Sequence, residues 1–206
     1  MRRIVRFAAM TAACVAWSTA AVAQSPAAPG EWNHGTTLNA FVGASGDTTQ
    51  VGTAFGGAIG WEVTPSIAIE GGGAWTAFGH DTTAFSGTLK VRARVGGTRT
   101  VDPFFLAGIG MYHTSFGEHE TAIPDFYRRR LDSGDNAFTR TFTDPSLVAG
   151  GGISLFLSRH VAIRPDVEAA IVVANGSSHV VTTAAVHFVY HFEDHPVTPA
   201  RWRARR

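Results

Sequence analysis

Thr88-Leu89-Lys90-Val91-Arg92-Ala93-Arg94-Val95-Gly96 alternates strictly. Thr88, Lys90, Arg92, Arg94 and Gly96 fall on one side of a period-two strand, and Leu89, Val91, Ala93 and Val95 on the other. A soluble sandwich or carrier would bury the aliphatic side and leave the basic side in water. A membrane-embedded barrel would turn the aliphatic side to lipid and the basic side into its lumen. The second arrangement requires carboxylates facing the cations, because unpaired buried charge is costly.

Carboxylates of matching parity stand on two further strands. From Ile67 onward, Ile67, Ile69, Gly71, Gly73 and Trp75 share one face, with Ala68, Glu70, Gly72, Ala74 and Thr76 on the other. In Val161 to Val173, Arg164, Asp166 and Glu168 share one side and Ile163, Val167, Ala169 and Ile171 the other. The remaining strands read as Leu38 to Ala44, Val51 to Val63, Pro103 to His113, Ser146 to Leu157 and Val180 to Phe192. Short breaks such as Gly46-Asp47-Thr48-Thr49-Gln50, Thr64-Pro65-Ser66 and Asn175-Gly176-Ser177-Ser178 separate them. Ser115 to Asp144 is the longest connection, too polar and irregular to assign an element.

The expected fold is therefore all-β, an antiparallel eight-stranded up-and-down transmembrane β-barrel. The strands are long enough to cross a bilayer when tilted, and an even count returns both ends to one side. Closure pairs every strand edge, which lipid demands. An eight-stranded barrel encloses little more than its own side chains. Glu70, Lys90, Arg92, Arg94, Arg164, Asp166 and Glu168 are accordingly read as a lumen ionic network that fills the barrel, ahead of a porin-like pore or a binding cavity.

The termini place this barrel in the cell. Arg2, Arg3 and Arg6 precede an apolar run from Phe7, and Ala21-Val22-Ala23 supplies a small-x-small cleavage pattern. Residues 1–23 are expected to be a signal peptide, 24–36 a leader, 37–192 the barrel and 193–206 a basic tail. Thr11-Ala12-Ala13-Cys14 faintly resembles a lipoprotein site, but the apolar segment before it is short and continues after it. Export with cleavage at residue 23 would remove Cys14, leaving neither disulfide nor thiol chemistry. It would also remove three of the 17 basic residues and none of the 16 acidic ones, taking the formal net charge from +1 to −2. That balance offers no footprint for nucleic acid.

The last strand ends Val186-His187-Phe188-Val189-Tyr190-His191-Phe192, with Phe188, Tyr190 and Phe192 on one face. Together with Pro103-Phe104-Phe105-Leu106-Ala107-Gly108-Ile109-Gly110 and Gly150-Gly151-Gly152-Ile153, this layout resembles the small eight-stranded outer-membrane β-barrel domain family of Gram-negative bacteria. The resemblance covers about residues 37 to 192. It implies location in the cell outer membrane, a monomer, contact with outer-membrane lipid and lipopolysaccharide, and assembly machinery that recognises Phe188, Tyr190 and Phe192. It also implies a non-enzymatic structural or surface-interaction role without cofactor or metal. The tail from Glu193 to Arg206 departs from the pattern, since it makes the aromatic closing signal internal.

Two alternatives compete. His113-Thr114-Ser115 is similar to the His-x-Ser of outer-membrane lipid A deacylases, in which histidine is the base and serine the nucleophile. Here Phe116 follows Ser115 where that pattern prefers Asn, and no acidic partner can be assigned. His113, His119 and Glu120 have weak metal-ligand spacing, and His187 and His191 read as packed lumen residues. The other alternative is a soluble periplasmic lipocalin-like carrier of a small apolar ligand, with Leu89, Val91, Val167 and Ile171 inside. Arg128-Arg129-Arg130 and the terminal Arg201, Arg203, Arg205 and Arg206 are candidate contacts for anionic lipid or cell wall. Trp61, Trp75, Tyr112 and Phe192 are candidates for aromatic girdles.

Overall fold

The chain crosses back and forth eight times, and its first strand closes on its last. The computed structural model describes residues 35–64, 66–79, 81–96, 100–117, 123–132, 140–158 and 160–192. The strands are β1 (Thr36–Gly46), β2 (Val51–Thr64), β3 (Ile67–Gly79), β4 (Thr82–Arg94), β5 (Val101–Ser115), β6 (Thr141–Phe156), β7 (Val161–Ala174) and β8 (Ser177–His191). Helix α1 (Asp125–Asp132) lies between β5 and β6. Each strand pairs antiparallel with the next, and β1 pairs with β8 through Leu38↔Tyr190 and Ala40↔Phe188, so the sheet is a closed barrel. The signal segment, residues 24–34 of the leader, His119, Glu120 and the arginine tail lie outside the described residues.

The alternation decides which way the wall faces. Leu89 and Val91 are about half exposed, whereas Lys90 and Arg92 between them are buried. The same holds for Ile67 and Ile69 around buried Ala68 and Glu70, and for Phe188 and Tyr190 around buried Val189. Large aliphatic and aromatic side chains cover the outside of all eight strands, far more apolar surface than a water-exposed wall carries. A soluble carrier would need Leu89, Val91, Val167 and Ile171 inside, and the structure turns all four outward.

Most strands run further than their sequence pattern. β4 begins at Thr82, six residues before the alternating stretch, and ends at Arg94; Val95 and Gly96 belong to the turn, with Gly96 at φ 63°. β6 begins at Thr141 inside the expected long connection, where Thr141 to Pro145 pair with Met111 to Ser115. Asn175 and Gly176 both have positive φ and join β7 to β8 in a two-residue hairpin, the backbone that Asn-Gly favours.

The connection between β5 and β6 contains a helix that the sequence did not signal. Five of the eight residues of α1 are charged, and its buried pair Phe126 and Tyr127 is adjacent rather than spaced at three or four. Leu131, four residues after Tyr127, shares their face and packs on the same cluster, and the barrel mouth gives that short face its cover. Locally the helix is consistent: the Pro124 carbonyl accepts the first bonds from Tyr127 and Arg128 N–H, Asp125 sits in the first turn, and Arg129 and Arg130 in the last.

Candidate functional site

The lumen has three levels. At the end away from α1, ion pairs link opposite walls. Glu70 Oε1 accepts from Arg92 Nε (2.7 Å) and from Arg164 Nη1 (2.8 Å), joining β3 to β4 and to β7, four strands away around the wall. Both guanidinium groups lie over the Phe104 ring, 5.6 and 5.5 Å from its centre. His187 Nε2 donates to Asp166 Oδ1 (3.2 Å). Arg94 bridges Glu62 to Asp102, with its Nε 3.1 Å from Asp102 Oδ2. Lys90 Nζ donates to Glu168 Oε1 (2.6 Å) nearer mid-height.

The seven charged residues picked from sequence thus all face inward, where each contacts an opposite charge. Two more at the end away from α1 were not among them. Glu62 and Asp102 stand at the ends of β2 and β5, where few residues remain to establish a parity. The signal that could have found Glu62 is its place between outward Trp61 and Val63.

Glycines make room for these side chains. Glu70 is in register with Gly60, Lys90 with Gly108, Glu168 with Gly150 and Asp166 with Gly152. A Cβ on Gly152 would come within 2.7 Å of Asp166 Cβ, and one on Gly108 within 2.9 Å of Lys90 Cγ. The glycine-rich runs are therefore the complement of the charged ones on neighbouring strands.

At mid-height, small residues including Ala58, Gly72, Ser86 and Thr88 leave a cavity of about 60 Å³, into which Lys90 and Glu168 project. It has room for a few waters. Above it, the mouth nearest α1 is closed by Tyr112, Phe116, Ile123, Phe126, Tyr127 and Phe142, packed with Val172 and Val181. Arg130 Nη1 donates to Asp144 Oδ2 (2.6 Å) and its guanidinium lies over Phe142. Tyr112 therefore belongs to this plug and not to an outer girdle: its even position in β5 points it inward with Leu106 and Thr114. Trp61, Trp75 and Phe192 face outward.

Asp47, in the connection from β1 to β2, fastens the same end. Its Oδ1 accepts from Thr49 N–H (2.6 Å), the Thr49 hydroxyl (2.6 Å) and Gln50 N–H (2.9 Å), and its Oδ2 lies 3.0 Å from His179 Nε2. Burial pushes this carboxyl up, but the hydrogen bonds from His179, Thr49 and Gln50 outweigh it and hold the pKa below the ordinary Asp value. A depressed carboxyl stabilises above its unfolded pKa and loses that contribution as pH falls through the folded one. Asp47→Ala is thus expected to lower amide protection at Thr49 and Gln50 relative to wild type above about pH 4. The two proteins should converge at lower pH, as hydrogen exchange across a pH series would show.

His113 and Ser115 lie two residues apart on the outward side of β5. His113 Nδ1 is 2.7 Å from the Thr143 hydroxyl, so the position at which a triad acid would hold the imidazole is occupied by a neutral group. Phe188, Tyr190 and Phe192 are exposed on one outward row, with Tyr190 and Phe192 edge to face at 5.3 Å. Among the described residues there is no cluster of three metal-ligating side chains.

With a closed eight-stranded wall, an apolar exterior and an ionic interior established, the sequence profile of the outer membrane protein beta-barrel domain matches residues 7–192. The chain belongs to this outer-membrane β-barrel family. Among solved structures it is similar to Neisserial surface protein A, with a TM-score of 0.57, 10% identity, and coverage of 80% of this chain and 100% of that one. It is also similar to the N-terminal β-barrel domain of Pseudomonas aeruginosa OprF, with a TM-score of 0.51, 10% identity, and coverage of 78% and 100%. At such identity these likenesses concern the fold alone. No curated relative matches the sequence. As a member of this family the protein resides in the outer membrane, which accounts for its apolar outer wall.

Proposed function

We propose that the protein is a non-enzymatic outer-membrane barrel with a structural and surface-interaction role, and that its lumen is closed rather than conducting. The observation that supports this is the obstruction of the lumen at two levels: the ionic layer around Glu70 ties opposite walls, and Tyr127 with Phe126 fills the mouth. Its surface role belongs to the connection between β5 and β6, whose helix presents Arg128 and Arg129 to solvent. The outward row Phe188, Tyr190 and Phe192 is the contact offered to the assembly machinery, and the outer wall contacts membrane lipid as a monomer.

Planar-bilayer recording of the folded protein is expected to give no sustained current at neutral pH. A steady conductance proportional to voltage would overturn the closed-lumen reading and favour a pore through the mid-height cavity.

A further inference from the structure

Helix α1 closes the mouth without joining the sheet. Among the described residues its backbone bonds start at the Pro124 carbonyl and stay within the helix, so side chains tie it to the wall. Arg130 donates to Asp144 of β6 on one side. On the other, Phe126 stacks on the His179 imidazole of β8, 5.7 Å between centroids at 20°, and Tyr127 meets the same ring edge to face at 5.5 Å.

Unlike the phenyl rings around it, His179 carries an N–H that needs an acceptor when buried. Asp47 supplies it: Oδ2 lies 3.0 Å from Nε2, and the carboxylate and imidazole side chains are 4% and 11% exposed. The other oxygen, Oδ1, is taken by Thr49 and Gln50. The turn after β1 thus fixes the carboxylate, the carboxylate fixes the imidazole, and the imidazole supports the two rings by which α1 enters the mouth. Beneath those rings lies the mid-height cavity, for Tyr112 and Val181 belong both to the plug and to the cavity lining.

We propose that α1 is an acid-released lid over this cavity, latched through Asp47 and His179, and that it lifts while the eight-stranded wall stays closed. The other groups facing the latch are Tyr112 from β5, Tyr127 and Arg130 from α1, and Asp144 from β6. The phenols do not titrate in acid and the guanidinium keeps its charge, so among these only the carboxylates can respond. The Asp47 carboxyl is held below the ordinary Asp value. The latch is therefore complete above about pH 4 and is lost as pH falls through the lower folded value. The wall does not follow, because its backbone ladder carries no titrating group and lipid offers it no other partner. The ionic layer around Glu70 still crosses the lumen below the cavity, so an open lid admits solvent to the cavity without making a pore. The proposal stands apart from whether the lumen conducts.

Hydrogen exchange of the folded protein in detergent, read by mass spectrometry and corrected for the intrinsic effect of pH, tests it. Between pH 7 and pH 3 the wild-type segment 123–132 is expected to lose about tenfold in protection, while β2 and β3 keep theirs. Asp47→Ala should show that loss already at pH 7. Adding His179→Phe gives the wall a ring that packs on Phe126 and Tyr127 without needing an acceptor, so the double variant should stay protected at both pH values. Thiol labelling reads the cavity itself. Ser86 lines it, and Ser86→Cys should react with a methanethiosulfonate at pH 7 about tenfold faster when Asp47→Ala is also present. Wild type that keeps segment 123–132 protected at pH 3, strands that lose protection together with it, or equal labelling with and without Asp47→Ala would overturn the proposal. So would a double variant that opens in acid as wild type does, which would move the latch to Arg130 and Asp144.

Discussion

Glu70→Gln is expected to destabilise the barrel by about 3–5 kcal/mol, the cost of taking from two buried guanidinium groups the carboxylate that binds them most closely. Glu70 is 1% exposed, and one of its oxygens accepts from both Arg92 and Arg164, themselves 3% and 1% exposed. The neutral amide keeps the shape, so the measurement isolates charge. Both cations would lose their short hydrogen bonds and keep only looser ion pairs, Arg164 with Asp166 at 3.7 Å and Arg92 with Glu62 at 4.0 Å, besides the ring of Phe104. The intact pair, by contrast, is weak evidence of net stabilisation, since desolvation opposes the attraction. Urea unfolding in lipid vesicles, followed by gel mobility without heating, is the measurement. Glu168→Gln is the comparison: its side chain is 18% exposed beside the mid-height cavity, and its ion pair among the described residues is with Lys90. Its loss should be about 1 kcal/mol or less, because water can screen the partner. Equal losses for the two variants would mean that the Glu70 layer is not a distinct tie between walls.

Tyr127→Ala should have the second large effect, about 3–5 kcal/mol at the barrel mouth. Tyr127 is 1% exposed and touches four rings: Phe116 at 5.2 Å, Phe126 at 4.7 Å, Phe142 at 5.1 Å and His179 at 5.5 Å between centroids. Its removal would leave a cavity beneath a single short helix. Limited proteolysis between residues 116 and 140 should then accelerate while the heat-modifiable band persists, because the sheet does not depend on the plug. Tyr127→Phe is expected to be neutral or mildly stabilising. The hydroxyl is buried with no hydrogen-bond partner among the described residues, and burial pushes the phenol pKa well above its ordinary value. A loss as large as that of the alanine variant would show that the hydroxyl has a partner such as ordered water. Unchanged proteolysis in Tyr127→Ala would show that the plug is held elsewhere.

Period-two alternation made the barrel legible because a membrane wall sorts residues by parity more sharply than a soluble sheet does. Leu89 and Val91 against Lys90 and Arg92 already specify which face meets lipid and which cannot. Parity failed where strands fray into their ends. Glu62, Asp102 and the first residues of β4 and β6 lack enough alternating neighbours, and the aromatic character of Tyr112 points to a girdle while its parity in β5 points inward. Helix α1 was invisible for a different reason. A short, mostly charged segment has little intrinsic stability, and its two aromatic residues find a buried surface only over the mouth that β4 to β8 supply.

By itself, then, the sequence determined the number of strands, their inside and outside, and the need for opposite charges within a narrow lumen. It could do so because these follow from spacing along one chain and from the cost of bare charge in an apolar medium. Only the tertiary structure decided which charges meet. Glu70 and Arg164 are 94 residues apart and become partners because closure of eight strands sets β3 opposite β7. The glycines of neighbouring strands then allow their side chains the space to reach across.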